Sequence, residues 1–282
     1  MSERKKLTAY DRLLLARDPA RPNVKEYIKV LFDNFVELHG DRLFRDDPAI
    51  IGGIATFHDM PVTVIGHLKG RNTEENVKCN FGMASPEGYR KARRLMEQAE
   101  KFQRPVITII DTPGAYPGME AESNGQSNAI AENLAVMSRL KVPVVAVVTG
   151  EGSSGGALAL AVADKVWMLE NAVYSILSPE GFASIMWKDA SRAPEAADIM
   201  KITAKELKDY GLIDDIIPEG KRGFVALDTM LYDTLSKLRR VSPAELAQSR
   251  YRKFRKIDGM TGLNLRDGVS GPNGNARLNV RD

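Results

Sequence analysis

The chain has 282 residues, a formal net charge of +3, 43% hydrophobic and 27% charged residues, an ordinary globular composition whose small charge argues for neither a nucleic-acid nor a membrane-surface partner. One cysteine, Cys79, excludes an internal disulfide framework and a four-cysteine zinc site within this chain, and fits a reducing, cytoplasmic setting. No apolar run approaches the roughly 20 residues that span a bilayer, and the polar start "MSERKKLTAYDR" lacks a signal peptide's apolar core.

Thr8 to Asp11 reads as a capping box ahead of "RLLLARD", a helix that Pro19 and Pro22 break. Asn23 and Glu26 are cap and third residue of a second helix. Its Ile28, Leu31, Phe32 and Phe35 fall on one apolar face, with Gly40 as its stop. Residues 1–45 thus read as an N-terminal helical arm. "AIIGGIATFHDMPVTVIGHLKG" is two strands around a turn at "HDMP". "SPEGYRKARRLMEQAEKF" is a helix with Ser85 as cap and Pro86 in the first turn, and Ala92, Leu95, Met96 and Ala99 line one face.

A unit then repeats. "RPVITIIDTPGAYPG" is a buried strand ending in a glycine-rich loop, followed by a helix from about Ser123 to Arg139. "VPVVAVVTGEGSSGG" is a second strand and loop, followed by the short helix "ALALAVA". "DKVWMLE" and "AVYSIL" are further strands. Apolar strands alternating with helices predict an α/β sheet covered on both faces. Loops 112–118 and 150–156 leave the carboxyl ends of neighbouring strands, where such folds place ligands. From Pro179 the chain is mainly helical, with a short strand after Gly211 and two amphipathic helices. Residues 258–282, rich in Gly and Asn, read as a disordered tail.

The stretch "GEGSSGG" admits three chemistries. Gly150-x-Gly152-x-x-Gly155 matches a dinucleotide fingerprint, with Glu170 at the distance of a ribose-binding acid. The short following helix and the motif's place deep in the chain count against it. Gly152-x-Ser154-x-Gly156 matches a nucleophile elbow, but His39, His58 and His67 all precede Ser154, opposite to the order in α/β-hydrolases. In the third reading, the N–H groups of Gly155 and Gly156 open a helix and lack intrahelical partners. With no Cβ in the way they would stabilise a developing oxyanion. The plain alternative is that these glycines serve only packing.

Five blocks taken together carry a resemblance: "ELHGDRLFRDDPAIIGGIA", "NFGMASPEGYRKARRLM", "IDTPGAYPGMEAE", "GEGSSGGALALAVADKVWMLENAVYSILSPEGFASIMWKD" and "LIDDIIPE". Over residues 5–250 the chain resembles the alpha subunits of bacterial acetyl-CoA carboxylase carboxyltransferases. The resemblance implies a crotonase-like spiral of ββα units over residues 46–257, with the arm before it and C-terminal helices. It implies transfer of a carboxyl group from carboxybiotin, borne on a biotin carboxyl carrier protein, to acetyl-CoA to give malonyl-CoA, the first committed step of fatty acid synthesis. A beta subunit carrying a zinc ribbon would complete the active site in an alpha2beta2 assembly. Biotin carboxylase, not this chain, would use ATP, and no metal is expected here.

Carried over by that resemblance, Gly155 and Gly156, with Ala157 next, would bind the ureido oxygen of biotin. Gly114 and Ala115 would shape the neighbouring wall. Arg90, Lys91, Arg93 and Arg94 are candidates for CoA phosphates, as are Arg71 and Lys78, although a charge run on a helix is commonly a solvated face. Pro179, Glu180 and Gly181 would begin a helix along the biotin path, and Phe182, Met186 and Trp187 read as core or subunit interface. Three other functions stay open: a self-sufficient acyl-CoA hydratase or isomerase using Glu120 or Glu122, a non-catalytic binding subunit, and a nicotinamide-dependent oxidoreductase.

Overall fold

The computed structural model describes residues 7–220 and 222–264. Helix α1 (Ala9–Ala16) and helix α2 (Val24–Leu31) both begin with full capping boxes, Thr8 with Asp11 and Asn23 with Glu26. The second helix is shorter than its apolar spacing predicts. Phe32 is extended, and strand β1 (Asp33–Glu37) pairs antiparallel with strand β2 (Ile50–Phe57). Strand pairing prevails because Gly53 lets the two backbones close: Val36 O lies 2.1 Å from where a Gly53 Cβ would stand. Phe32 stays buried despite the change of structure.

Strand β3 (Met60–His67) returns from β2 through His58 and Asp59, both left-handed as a tight hairpin requires. Helix α3 (Thr73–Lys78) and a 3-10 turn (Asn80–Gly82) lead to helix α4 (Pro86–Lys101). Strand β4 (Val106–Thr112), helices α5 (Met119–Ser123) and α6 (Gln126–Arg139), strand β5 (Val144–Ser153) and helix α7 (Ser154–Leu158) follow. Strands β6 (Lys165–Leu169) and β7 (Val173–Ser175) precede helices α8 (Pro179–Trp187), α9 (Ala193–Met200) and α10 (Ala204–Asp209). Strand β8 (Asp215–Ile217) and helices α11 (Gly223–Leu238) and α12 (Pro243–Asn264) end the fold. α12 thus continues past Ile257, and the tail expected from 258 lies beyond Asn264 outside the described residues.

The sheet order is β1-β2-β3-β4-β5-β6-β8, with parallel pairing from β3 onward. On the side away from β4, strand β5 serves two neighbours. Its first half pairs with β6 (Val145↔Lys165 to Val148↔Met168), and its end pairs with β7 (Glu151↔Val173 to Ser153↔Ser175). The chain therefore spirals away from the main sheet at the glycine-rich segment. Gly52 abuts Leu95 of α4, while Gly66 abuts Val24 of α2. Gly52 pairs with Ile65, the neighbour of Gly66, so the two helices cover opposite faces. This explains why the first halves of β4 and β5, Val106 to Ile110 and Val144 to Val148, are almost wholly apolar.

α12 is latched by Arg250, whose side chain is fully buried. Its guanidinium donates to the carbonyls of Met137, Leu140 and Val142 and to both carboxylate oxygens of Asp164, at 2.7–3.1 Å. Among the described residues no helix is long and apolar enough to cross a membrane. Arg250→Met is expected to destabilise the chain by about 3–5 kcal/mol in denaturant unfolding, because it leaves Asp164 buried without its countercharge.

Candidate active site

The glycine-rich segment is strand up to Ser153 rather than loop from Gly150. The turn is made at Ser154, which is left-handed (φ 58), and helix α7 is only five residues long. Three of the glycines have an internal steric reason. A Cβ on Gly150 would stand 2.4 Å from Asp111 Oδ1, and one on Gly152 3.0 Å from Val148. A Cβ on Gly156 would stand 2.5 Å from Ala115 N, 2.6 Å from the Gly114 carbonyl carbon and 2.8 Å from Tyr89 Oη. Gly155 differs: its nearest neighbour, Ile130, is at an ordinary 3.6 Å. The first turn of α7 is thus pressed against the loop after β4. The sites named from sequence, Gly155, Gly156, Ala157, Gly114 and Ala115, come together.

The loop after β4 has its own logic. Thr112 Oγ1 accepts from the Gly114 N–H at 3.0 Å and donates to Gly114 O at 2.7 Å. Gly114 is at φ +144, and a Cβ there would meet nothing within 4 Å. Gly155 is half-buried and Ser154 exposed, so the turn opens outward. Ser153 provides no side-chain cap, and the first N–H groups of a helix have no intrahelical acceptor.

A partly buried ion network braces the turn, and sequence reasoning missed it. Arg17, just after α1, donates to both oxygens of Glu151 (3.0 and 2.7 Å) and to Glu180 at 2.7 Å. Lys69 pairs with Asp111 at 2.7 Å, and Asp111 accepts the Glu151 N–H at 2.9 Å. Burial alone would lower the Arg17 pKa, but the two glutamates outweigh it and hold it above the ordinary value. Burial likewise acts to raise Glu180, and the bonds to Arg17 bring it below the usual carboxylate range. Glu180 therefore ties α8 to the arm. A cavity of about 210 Å³, lined by Arg17, Lys69, Arg71, Phe81, Asp111 and Pro113, adjoins the loop after β4.

Other sequence candidates are placed elsewhere. Lys91 is 1% exposed, its Nζ donating to Asp46 (2.6 Å) and Asp47 O (2.8 Å). Arg90 donates to Asp41 at 2.8 Å and to the Asn124 carbonyl at 3.0 Å. The pair expected to meet CoA phosphates instead clamps the 41–47 segment onto α4, because acids more than forty residues upstream pack over that helix face. Arg93 pairs with Glu132, and Arg94 donates to the carbonyls of Gly40 and His39. Arg71 pairs with Glu26, and Lys78 with Glu74. Phe182 and Trp187 are half-buried and stack edge to face, while Met186 is 60% exposed.

No base serves Ser154. Its turn has the strained conformation of an elbow, yet its hydroxyl makes no hydrogen bond among the described residues. His58 sits at the opposite end of β3 from the site, bonded to Asp228, and His39 is bonded to Asp46. His67 ends β3 fully buried, and neither ring nitrogen has a partner among the described residues. Burial, with Lys69 nearby, pushes its pKa down to about 3. Glu120 is exposed and paired with Arg45 at 3.1 Å, and Glu170 is exposed at the end of β6.

A tight glycine turn facing a second glycine loop at the ends of two parallel strands belongs to a crotonase-like α/β fold. Solved structures of that fold superpose on the chain. The transcarboxylase 12S core aligns with a TM-score of 0.66 at 18% identity, covering 78% of this chain and 42% of that one. The chain thus spans under half the length of that relative. The Pseudomonas malonate decarboxylase MdcD-MdcE hetero-dimer aligns at 0.62 and 17% identity, covering 77% and 91%.

Residues 2–258 match the family described as acetyl co-enzyme A carboxylase carboxyltransferase-like. The acetyl-coenzyme A carboxylase carboxyl transferase subunit alpha of Clostridium acetobutylicum is 59% identical over 265 residues, 91% of this chain and 97% of the relative. That of Streptococcus thermophilus is 57% identical over 247 residues, covering 86% and 96%. The chain belongs to this family of carboxyltransferase alpha subunits.

Two outcomes follow. Gly156→Ala is expected to cost about 1–3 kcal/mol through backbone overpacking, whereas Gly155→Ala leaves the unfolding free energy unchanged within error; chemical denaturation of both variants decides. His67 is neutral in the fold but takes up a proton near pH 6.5 once unfolded. Its share of stability is therefore complete above that pH and lost as pH falls toward 3. Unfolding measured from pH 7.5 to 5 should weaken more steeply in the parent than in His67→Gln.

Proposed function

We infer that this chain supplies the carboxyl-donor half of an acetyl-CoA carboxylase carboxyltransferase. As an alpha subunit it works with a beta subunit in a multi-subunit complex. The N–H groups of Gly155 and Gly156, backed by buried Ala157, point to where the ureido oxygen of biotin would lie. Biotin on its carrier protein supplies a carboxyl group on a ring nitrogen, and breaking that N–C bond shifts negative charge toward the ureido oxygen. Two preorganised N–H donors at a helix start favour that charge without any titratable group. Gly114 and Ala115 form the facing wall. The open space at Gly114 fits the approach of a flat ring, which a Cβ at that position would obstruct.

The observation that supports this reading is the close approach of Gly156 to Gly114 and Ala115, which sets the first turn of α7 beside the loop after β4. The new carbon–carbon bond forms at the acetyl methyl, and the methyl proton is left on the ring nitrogen that lost the carboxyl group. No side chain of this chain has to act as base. Acetyl-CoA is held by the beta subunit, which carries the zinc ribbon. The lip of the turn supports such a partner: Met119, Leu158 and Ile176 are 86%, 37% and 83% exposed around it, an apolar rim that a second subunit would bury. A biotin carboxylase that spends ATP reloads the carrier, in the cytoplasm, and the carboxyltransferase is alpha2beta2.

Reconstitution tests the reading. The chain alone is expected to form little malonyl-CoA, and addition of the beta subunit restores turnover. In the complex, Gly156→Val is expected to lose about a hundredfold or more. Glu120→Gln and Ser154→Ala should stay within about twofold of the parent. A Glu120→Gln variant that abolishes turnover would favour the hydratase-type reading.

A further inference from the structure

Among the described residues, the buried side-chain nitrogens and oxygens without a hydrogen-bond partner belong to His67, Glu87, Tyr89, Gln126 and Asn133. All five gather about α4, from the end of β3 to the α6 face that packs on it. An unpaired buried polar group is destabilising, while an apolar group of the same shape is nearly neutral. Tyr89 poses the question most sharply. It is 0% exposed, and phenylalanine would fill the ring's space equally well.

The hydroxyl is aimed at the active-site turn. Tyr89 Oη lies 2.8 Å, and Ala115 N 2.5 Å, from the single point where a Gly156 Cβ would stand. The Ala115 N–H makes no hydrogen bond among the described residues, although its neighbour Tyr116 donates to Ala84 O at 3.0 Å. Two unpaired partners, one able to accept and one able to donate, thus border the same glycine. Ala115 follows Gly114, where φ is +144 and a Cβ would meet nothing within 4 Å. We propose that Tyr89 is a positioning residue for carboxyl transfer: in the working complex its hydroxyl accepts a hydrogen bond from the Ala115 N–H and fixes the wall opposite the Gly155–Gly156 donors. Burial raises the phenol's pKa above its ordinary value, so the hydroxyl keeps its proton at any working pH. The link serves the reaction through preorganisation, and it rests on the carboxyltransferase reading of the turn.

Tyr89→Phe in the reconstituted alpha–beta complex is the test. Loss of one supporting hydrogen bond behind a site is expected to lower kcat for malonyl-CoA formation about tenfold. KM for acetyl-CoA and for the biotin substrate should stay unchanged, and the thermal midpoint should be unchanged or higher, since an unpaired hydroxyl has been removed. Hydrogen–deuterium exchange of the peptide covering residues 113–117 should quicken in the variant complex. A kcat equal to the parent's, a loss that follows a lowered midpoint, or unaltered exchange at 113–117 would each overturn the proposal. A parent complex that forms no malonyl-CoA would instead sink the carboxyltransferase reading, and the exchange measurement would still report on the link.

Discussion

The site depends on one close approach, that of the first turn of α7 to the loop after β4. Only a residue without a side chain at 156 lets the turn lie against Gly114 and Ala115. Pairing of β4 with β5 runs to Thr112 and Gly152, and the glycine contact then closes the segments that follow the two strands onto each other. The ladder is irregular at this point: the register shifts between Ile110 and Thr112, which pairs with Gly152, and β5 changes its other partner from β6 to β7.

A site made of backbone groups needs its frame held by charges that stay out of the chemistry. Arg17 draws the arm, the end of β5 and the start of α8 together through Glu151 and Glu180. Lys69 and Asp111 do the same for β3 and β4. These pairs are partly buried, and only Glu151 among them is fully enclosed. The N-terminal arm is therefore joined to the site, although its helices lie outside the strand-and-helix repeat. Arg90, Lys91 and Arg250 play the same part farther away, each satisfying several carbonyls or carboxylates.

Much of this was legible in the sequence. Capping boxes at Thr8 and Asn23, the hairpin at His58 and Asp59, and the apolar runs of β4 and β5 are local signals. The structure carries each of them. The glycines of the turn were legible as a group, but not which of them packing requires. That distinction arises from Asp111, Ala115 and Tyr89, none of which is a sequence neighbour. The second helix was read too long because the apolar spacing through Phe35 suits a helix. A strand takes over where β2 offers an edge and Gly53 admits a neighbour. Arg90 and Lys91 looked like a basic face, and the acids at 41 and 46, with the Asp47 carbonyl, turned them inward. The buried Tyr89 hydroxyl left no trace in the sequence, because its meaning lies in what it fails to touch.

The central claim is that peptide N–H groups at the turn carry the chemistry. Replacing Gly156 by glycolic acid through semisynthesis swaps one amide for an ester. The N–H is lost and no atom is added on the side facing Ala115. The account predicts that the reconstituted complex then forms malonyl-CoA slower by about two to three orders of magnitude, with the alpha chain's unfolding midpoint close to the parent's. An ester-bearing complex that turns over at the parent rate would contradict it.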